Sequence, residues 1–340
     1  MAPLWEKYGT ELGLPDGGAD LAAIQAENEK KVKDFEETIE DAKENYGDAE
    51  VFEGMKDLAE HVARTGDVEA AVAAYDAIPT KLCSTGQRVD LEMGKTLLHF
   101  MVGDARAARI TLSRAQELNE KGGDWDRRNR MQVYEACYRM LSRDFEGTAE
   151  LLLESVSTYT CYEMFDYKRF VFFTVLSALL TQARPVLKKQ VVDSPDVRAV
   201  LGELGPLKQL LHSFHECKFD KFMAALVAVH PMILRDRFLR VHASYMVRVL
   251  RVRAYRQFLG AYKTVTLEGM SKSFGMGKEF LDKELSACIA GGKLSAKIDK
   301  VEGVVEVTRS DAKSALYGDL LKHGDALINK MQRLTRLVNV

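Results

Sequence analysis

A short motif recurs along the first two thirds of the chain, and its spacing restricts the fold more than any other feature. Gly66-Asp67-Val68-Glu69-Ala70-Ala71 returns as Gly103-Asp104-Ala105-Arg106-Ala107-Ala108. Weaker copies are Arg143-Asp144-Phe145-Glu146 and Lys218-Phe219-Asp220-Lys221. Successive aspartates lie 37, 40 and 76 residues apart, and 76 is twice 38. A copy absent from the series falls near Arg184-Pro185, itself a turn signal. In each copy a glycine ends one helix, an aspartate caps the next, and a small residue lets the two helices approach. Ala71 and Tyr75, like Ala108 and Leu112, lie one turn apart on the second helix. A period near 38 in an all-helical pattern predicts an α-solenoid, a stack that presents long surfaces to proteins or peptides.

Around this repeat the pattern is helical nearly throughout. Residues 1–20 hold Pro3, Gly13, Pro15, Gly17 and Gly18 and read as irregular. From about Leu21 to Tyr46, Val32, Phe35, Ile39, Ala42 and Tyr46 form one apolar stripe. Pairs such as Glu27–Lys31 and Glu29–Lys33 occupy the other faces. Eleven acidic residues and four lysines between Glu27 and Glu53 then describe a solvated face. Further helices are expected at about Arg127–Ser142, Phe145–Tyr159, Tyr167–Gln182 and Leu207–Phe214, with the last pairs between Met223 and Tyr262.

The period changes near the C-terminus. Leu267, Met270 and Phe274 suit one face of a short helix, and Gly275 and Gly277 permit a sharp turn. Phe280, Leu281, Leu285, Cys288 and Ile289 suit a second helix, ended by Gly291 and Gly292. Leu294, Ala296 and Ile298 then alternate with polar residues, Asp299 to Gly303 turns, and Val304, Val305 and Val307 return as a strand. Helix, turn, helix and hairpin make a winged helix. The second helix sets Lys278 and Lys283 against Glu279, Asp282 and Glu284, so it lacks the positive charge that a DNA-reading helix needs. The expected use is protein contact, with the hairpin offering an edge strand to another chain. No Gly/Ser-rich linker precedes this module, so it is expected to pack on the last solenoid helices.

From Asp311 to Asn339 a final helix repeats Leu320, Leu327 and Leu334 every seven residues, with Met331 and Val338 between and Gly324 leaving a gap. That stripe, with Leu316, is expected to bundle with helices of other chains; the alternative is packing on its own solenoid.

Composition limits the remaining classes. The chain has 340 residues, 46% hydrophobic content and net charge −2, with no global pull toward nucleic acid or anionic membrane. Phe170 to Leu180, its most apolar run, is far shorter than the ~20 residues that span a bilayer. The N-terminus shows no basic region followed by an apolar segment, so no secretory signal is expected. Cys83, Cys137, Cys161, Cys217 and Cys288 form no CxxC and read as reduced thiols. His212, His215 and Cys217 do not share one helical face, so they make no three-ligand zinc site. Asp124 and Asp126 beside Arg127, Arg128 and Arg130 read as a capped helix start. Gly275-Met276-Gly277-Lys278 lacks P-loop spacing. No nucleophile–base pair stands out, and neither a catalytic site nor a cofactor or metal is expected. Eight basic residues and one acid between Arg235 and Lys263, interleaved with Phe238, Tyr245, Tyr255, Phe258 and Tyr262, could bind single-stranded nucleic acid. However, Val241, Tyr245, Val249, Val252, Tyr255 and Leu259 form a helical stripe, which favours core and protein interface.

The layout resembles that of PCI-domain proteins, found in the proteasome lid, the signalosome and the eukaryotic initiation factor three complex. Gly122–Arg130 (GGDWDRRNR), Val156–Val171 (VSTYTCYEMFDYKRFV) and Gly277–Arg309 resemble the proteasome members more than those of the signalosome. The resemblance covers roughly Glu29 to Val340. Asp76–Ser84, with Pro79 inside it, departs from the family pattern. The resemblance implies a mainly α chain: a right-handed α-solenoid of TPR-like repeats (1–160), a PCI domain (161–309, its helical part 161–262 and winged helix 263–309) and a C-terminal bundling helix (310–340). It implies a non-catalytic scaffold of the proteasome regulatory particle in cytoplasm and nucleus. Expected partners are other PCI and lid subunits and the base ATPases, without nucleic acid or membrane. Leu294, Ala296, Ile298, Val304, Val305 and Val307 would face a neighbouring PCI subunit; Leu316, Leu320, Leu327, Met331, Leu334 and Val338 would enter a shared helical bundle. A signalosome scaffold and a nucleic-acid-binding PCI adaptor are the alternatives.

Overall fold

The computed structural model describes residues 18–79, 83–122, 124–308 and 312–338. They belong to two compact units, Met1–Glu203 and Leu204–Val340. The first is helical throughout: α1 (Gly18–Asn45), α2 (Asp48–Thr65), α3 (Val68–Asp76), α4 (Thr85–Val102), α5 (Ala105–Glu120), α6 (Trp125–Leu141), α7 (Phe145–Glu154), α8 (Tyr167–Thr181), α9 (Arg184–Leu187) and α10 (Pro195–Leu201). Sequence neighbours pack on one another, α1 on α2, α2 on α3, α4 on α5, and α7 between α6 and α8. The irregular start read for residues 1–20 lies outside the described residues up to residue 17, and α1 already begins at Gly18. Its stripe is as expected through Ile39 and Ala42, which are buried, whereas Tyr46 lies beyond the helix end and is exposed.

The repeat is visible in backbone geometry. Asp67 Oδ1 accepts from the Ala70 amide at 3.1 Å, Asp104 Oδ1 from Arg106 and Ala107 at 2.9 and 3.1 Å, and Asp144 Oδ1 from Gly147 at 3.1 Å. Each side chain thus satisfies a donor that the first helical turn leaves open. The residue before each cap is left-handed: Gly66 at φ 95°, Gly103 at 87°, then Arg143 at 67°. The one other non-glycine residue with positive φ among those described is Cys217, at 60°. It precedes Lys218, which stands at the N-cap of the next helix. The fourth copy is therefore Cys217-Lys218, and Asp220, which the sequence spacing set in the cap position, falls inside the helix. Counted from the caps, the fourth residue onward is Ala71, Ala108, Thr148 and Phe222, all fully buried. The eighth is Tyr75, Leu112, Leu152 and Leu226, again buried. One turn of helix separates the two sets, so each copy presents the same pair of inward positions.

The second unit holds α11 (Gly205–His215), α12 (Phe219–Arg235), α13 (Ala243–Leu259), β1 (Thr264–Thr266), α14 (Leu267–Phe274), α15 (Lys278–Ala290), β2 (Ala296–Asp299), β3 (Val304–Val307) and α16 (Ala312–Val338). The sheet order is β1-β3-β2, antiparallel throughout. On α13 the inward stripe is Met246, Leu250, Ala254 and Tyr255, rotated at its start from the expected Tyr245 and Val249. Val241 precedes α13 in a 3₁₀ turn and is exposed.

The close helix approach at Ala71 and Ala108 gives a test. Ala71→Leu or Ala108→Leu adds volume where no space remains and should cost about 1–3 kcal/mol each, read from denaturant unfolding of the purified chain. Ala70→Leu, one position round the same helix and exposed, should leave stability within about 0.5 kcal/mol.

Candidate protein-interaction surfaces

One aromatic side chain is central to the contact between the winged helix and the preceding helices. Phe274, fully buried at the end of α14, stacks on Phe219 of α12 with ring centroids 4.9 Å apart. Its edges meet Tyr255 at 5.0 Å and Phe258 at 5.3 Å, both on α13. Beside this cluster Glu284 of α15 is held by Arg251 Nη2 at 2.7 Å and by the Tyr255 hydroxyl, which donates at 2.5 Å. Burial, then the hydrogen bond to Glu284, pushes the Tyr255 phenol far above its ordinary pKa. The module therefore packs on α12 and α13 as the absence of a linker implies.

This arrangement alters the charge argument made from sequence. Glu284 points into the module, Asp282 pairs with Lys300 at 3.2 Å, and Lys278 pairs with Glu268 at 3.0 Å. The outer face of α15 is then close to neutral instead of acidic, and it still has no surplus of positive charge. The basic run before it is similarly dispersed. Arg251 serves Glu284, Arg256 donates to the Lys293 carbonyl at 2.8 Å, and Arg253 lies over the Phe214 ring. Phe280, expected in the core, is exposed and sits 5.7 Å from Arg251. It lies 100° away from the buried line of Leu281, Leu285 and Cys288.

The sheet topology determines which strand is open. Val307 N donates to Lys263 O at 2.8 Å, Leu267 N to Gly303 O at 2.8 Å, and Thr308 N to Ser295 O at 3.0 Å. β3 is therefore bonded on both sides and is not an edge, contrary to the expectation for Val304, Val305 and Val307. The reason is β1, a three-residue strand that sequence reading passed over; the alternation Thr264-Val265-Thr266 was its signal. Antiparallel alternation turns the N–H and C=O of Ala296 and Ile298 away from β3, toward the open side of β2. Among the side chains, Leu294, Ala296 and Val305 are buried within the module, while Ile298, Val304 and Val307 are half-buried. The open main-chain edge of this hairpin is accordingly that of β2.

Helix α16 is the opposite case. Leu316, Leu320, Leu327, Met331 and Leu334 are each more than 60% exposed, and Tyr317, Leu321, Ile328 and Leu337 are exposed with them. The expected position Val338 lies outside the described side chains. Leu321 and Ile328 directly follow Leu320 and Leu327, so the apolar band is wider than a two-residue seam.

The first unit carries a groove of about 500 Å³ lined by Lys56, Glu60, Tyr75, Asp90, Arg130 and Glu163. Its charges are paired among themselves: Arg127 and Arg130 reach Asp90 at 2.8 and 3.3 Å, and Arg130 reaches Glu163 at 2.6 Å. Burial pushes the Tyr75 phenol up to about 12. Cys217 Sγ lies 2.9 Å from Gln257 Nε2, and no three His, Cys, Asp or Glu converge on a metal-sized site among the described residues. No helix among them is long and apolar enough to cross a membrane.

Helix pairs that feed a winged helix with an open β2 edge define a PCI-domain protein, and a family model described as PCI domain matches residues 227–309. A second model, described as 26S proteasome subunit RPN7, matches residues 19–190. The chain is 40% identical over 340 residues to the 26S proteasome non-ATPase regulatory subunit 6 homolog of Arabidopsis thaliana, covering 100% of this chain and 88% of that relative. It is 38% identical over 340 residues to the 26S proteasome non-ATPase regulatory subunit 6 of Oryza sativa, covering 100% and 87%. The chain belongs to the RPN7 family of 26S proteasome subunits. A COP9 signalosome complex subunit 1, from Neurospora crassa, is more distant at 23% over 288 residues, covering 83% of this chain and 67% of that protein.

Phe274 is the joint between module and support. Phe274→Ala should remove about 3–5 kcal/mol from the second unit. Limited proteolysis should then cut between Tyr262 and Gly277 at protease concentrations that leave the parent chain intact.

Proposed function

We propose that this chain is a non-catalytic scaffold subunit in the lid of the proteasome regulatory particle, supporting assembly and ubiquitin-dependent degradation. The single observation that carries the reading is α16, a 27-residue helix whose apolar band is uncovered, in a chain of the RPN7 family. An exposed apolar surface of this extent marks a protein contact. The band's width suits a bundle of several helices better than a two-stranded coil. Within the particle, β2 offers Ala296 and Ile298 to a neighbouring PCI sheet, and Leu316 to Val338 enter the shared bundle. The helical repeats of 1–160, the PCI domain of 161–309 and the tail of 310–340 divide this work. Partners are other lid subunits and the base ATPases, and the site of action is cytoplasm and nucleus. The identities near 40% with proteasome members, against 23% with a signalosome subunit, favour the proteasome over the signalosome.

The two contacts separate experimentally. Leu327→Asp with Leu334→Asp places charge on side chains that are exposed in the free chain, so its stability should change by less than about 0.5 kcal/mol. Incorporation into the lid, followed by native gel and mass spectrometry of the tagged chain, should be lost, because burying each charge in a bundle is costly. Normal incorporation would remove the tail from the interface, and recovery of signalosome subunits without proteasome would overturn the whole reading. Ile298→Pro deletes an amide that points away from β3, at a strand edge where proline is tolerated. It should leave the free chain folded and weaken edge pairing with the neighbouring subunit by about tenfold or more, as the main-chain bonds supply that contact.

A further inference from the structure

We infer that the outward face of α12 is a docking site for an amphipathic helix of another protein that carries carboxylates beside its apolar stripe. From Phe222 to Leu234 the helix contains no Asp, Glu, Lys or Arg. Phe222, Ala225, Leu226, Val229 and Ile233 are buried against the rest of the unit. At 100° per residue, Ala224, Val227, Pro231 and Leu234 share the opposite face. All four are exposed, Val227 at 72% and Leu234 at 43%. The 3₁₀ turn Arg240–His242, packed on α12, adds Val241 at 80%. A helix that is apolar all round is one covered all round. The outer face of α1, which is solvated, is filled instead with glutamate and lysine.

Charge identifies the cover. Lys221, Arg235 and Arg240 are exposed around this face and make no ion pair among the described residues. Of the two carboxylates near this face, Asp220 sits at the first turn and already interacts with Lys218, and Asp236 at the other end is buried and accepts from the Phe238 and Leu239 amides. The rim is therefore positive. A second copy of this chain would set the same positive rim against itself. Helix α16 brings Lys330, Arg333 and Arg336 at its far end, and these repel the rim as well. The face has no aromatic wedge, and Ala224 and Pro231 make it shallow, which seats a helix ridge better than it penetrates a lipid surface. An incoming helix with an aliphatic stripe and flanking glutamates satisfies both the face and the rim.

The test uses the full chain carrying Leu327→Asp and Leu334→Asp, so that α16 does not compete. It is titrated with two fluorescein-labelled synthetic helices that share one leucine stripe, flanked in one by glutamates and in the other by lysines. The glutamate peptide should bind more tightly. Val227→Asp with Leu234→Asp should weaken it by about tenfold or more. Arg235→Glu with Arg240→Glu, on surface positions that leave folding intact, should reverse the preference between the peptides. Equal affinity for both peptides, or binding to neither, would overturn the proposal. So would binding unaffected by both double variants, capture by phosphatidylserine vesicles in place of peptide, or dimerisation in sedimentation that Val227→Asp with Leu234→Asp abolishes.

Discussion

The contact of Phe274 with Phe219, Tyr255 and Phe258 is the joint on which the C-terminal unit depends. A winged helix with a three-stranded sheet of 3, 4 and 4 residues is too small to bury much surface alone. Its stability comes from the helix pair beneath it. One aromatic ring, deposited by a short helix into a cage from two longer ones, supplies several kcal/mol and an orientation at once. The Glu284–Arg251 pair adds direction, since a part-buried charge tolerates only the geometry that satisfies it. The consequence is that β2 is held at a fixed angle, and an edge strand needs that to select one neighbour.

The two exposed features divide the work of recognition. Backbone pairing at Ala296 and Ile298 is strong in register and indifferent to side-chain identity. The α16 band is the reverse, because helical packing reads shape and volume residue by residue. The proposed role, beside one neighbour and inside a group of others, needs both. Neither feature is satisfied within the described chain. The apolar band of α16 is exposed from Leu316 to Leu337.

Much of this was legible in the sequence, and the misses have physical causes. The Gly-Asp copies announced the repeat because glycine is the residue that enters the left-handed region without strain. At Arg143 and Cys217 the backbone keeps the turn while the sequence loses the marker, so the fourth copy was read two residues late, at Asp220. The helix-turn-helix was plain from Leu267, Met270 and Phe274, but Phe280 was taken into the core because aromatic residues usually are. β1 escaped because its one alternation, Thr264-Val265-Thr266, is too short to stand out as a period. Its presence closes the β3 side of the hairpin and leaves β2 as the open edge, a narrowing of the candidate site that no pattern within the hairpin could have revealed. On α16 the repeat of Leu320, Leu327 and Leu334 was legible because every seventh leucine is a local signal, whereas Tyr317, Leu321, Ile328 and Leu337, which widen the band, were not read.

Charge shows most clearly why composition and site are different levels of evidence. Counted along the chain, α15 is acidic and the segment before it is strongly basic. Folding pairs the two in part: Glu284 takes Arg251, which leaves the outer face of α15 close to neutral, while Arg256 and Arg253 meet a carbonyl and an aromatic ring. The arginines that remain outside do not lie on the winged helix at all. Arg235 and Arg240 frame α12, whose outer face is apolar. A basic surface around an apolar floor has no use for a duplex, which demands charge along a groove and a polar reading edge. It suits a chain that brings its own hydrophobic stripe and the opposite sign. The same arginine-rich segment that suggests nucleic acid in a linear count is, once folded, a set of internal ties and a frame for a helix.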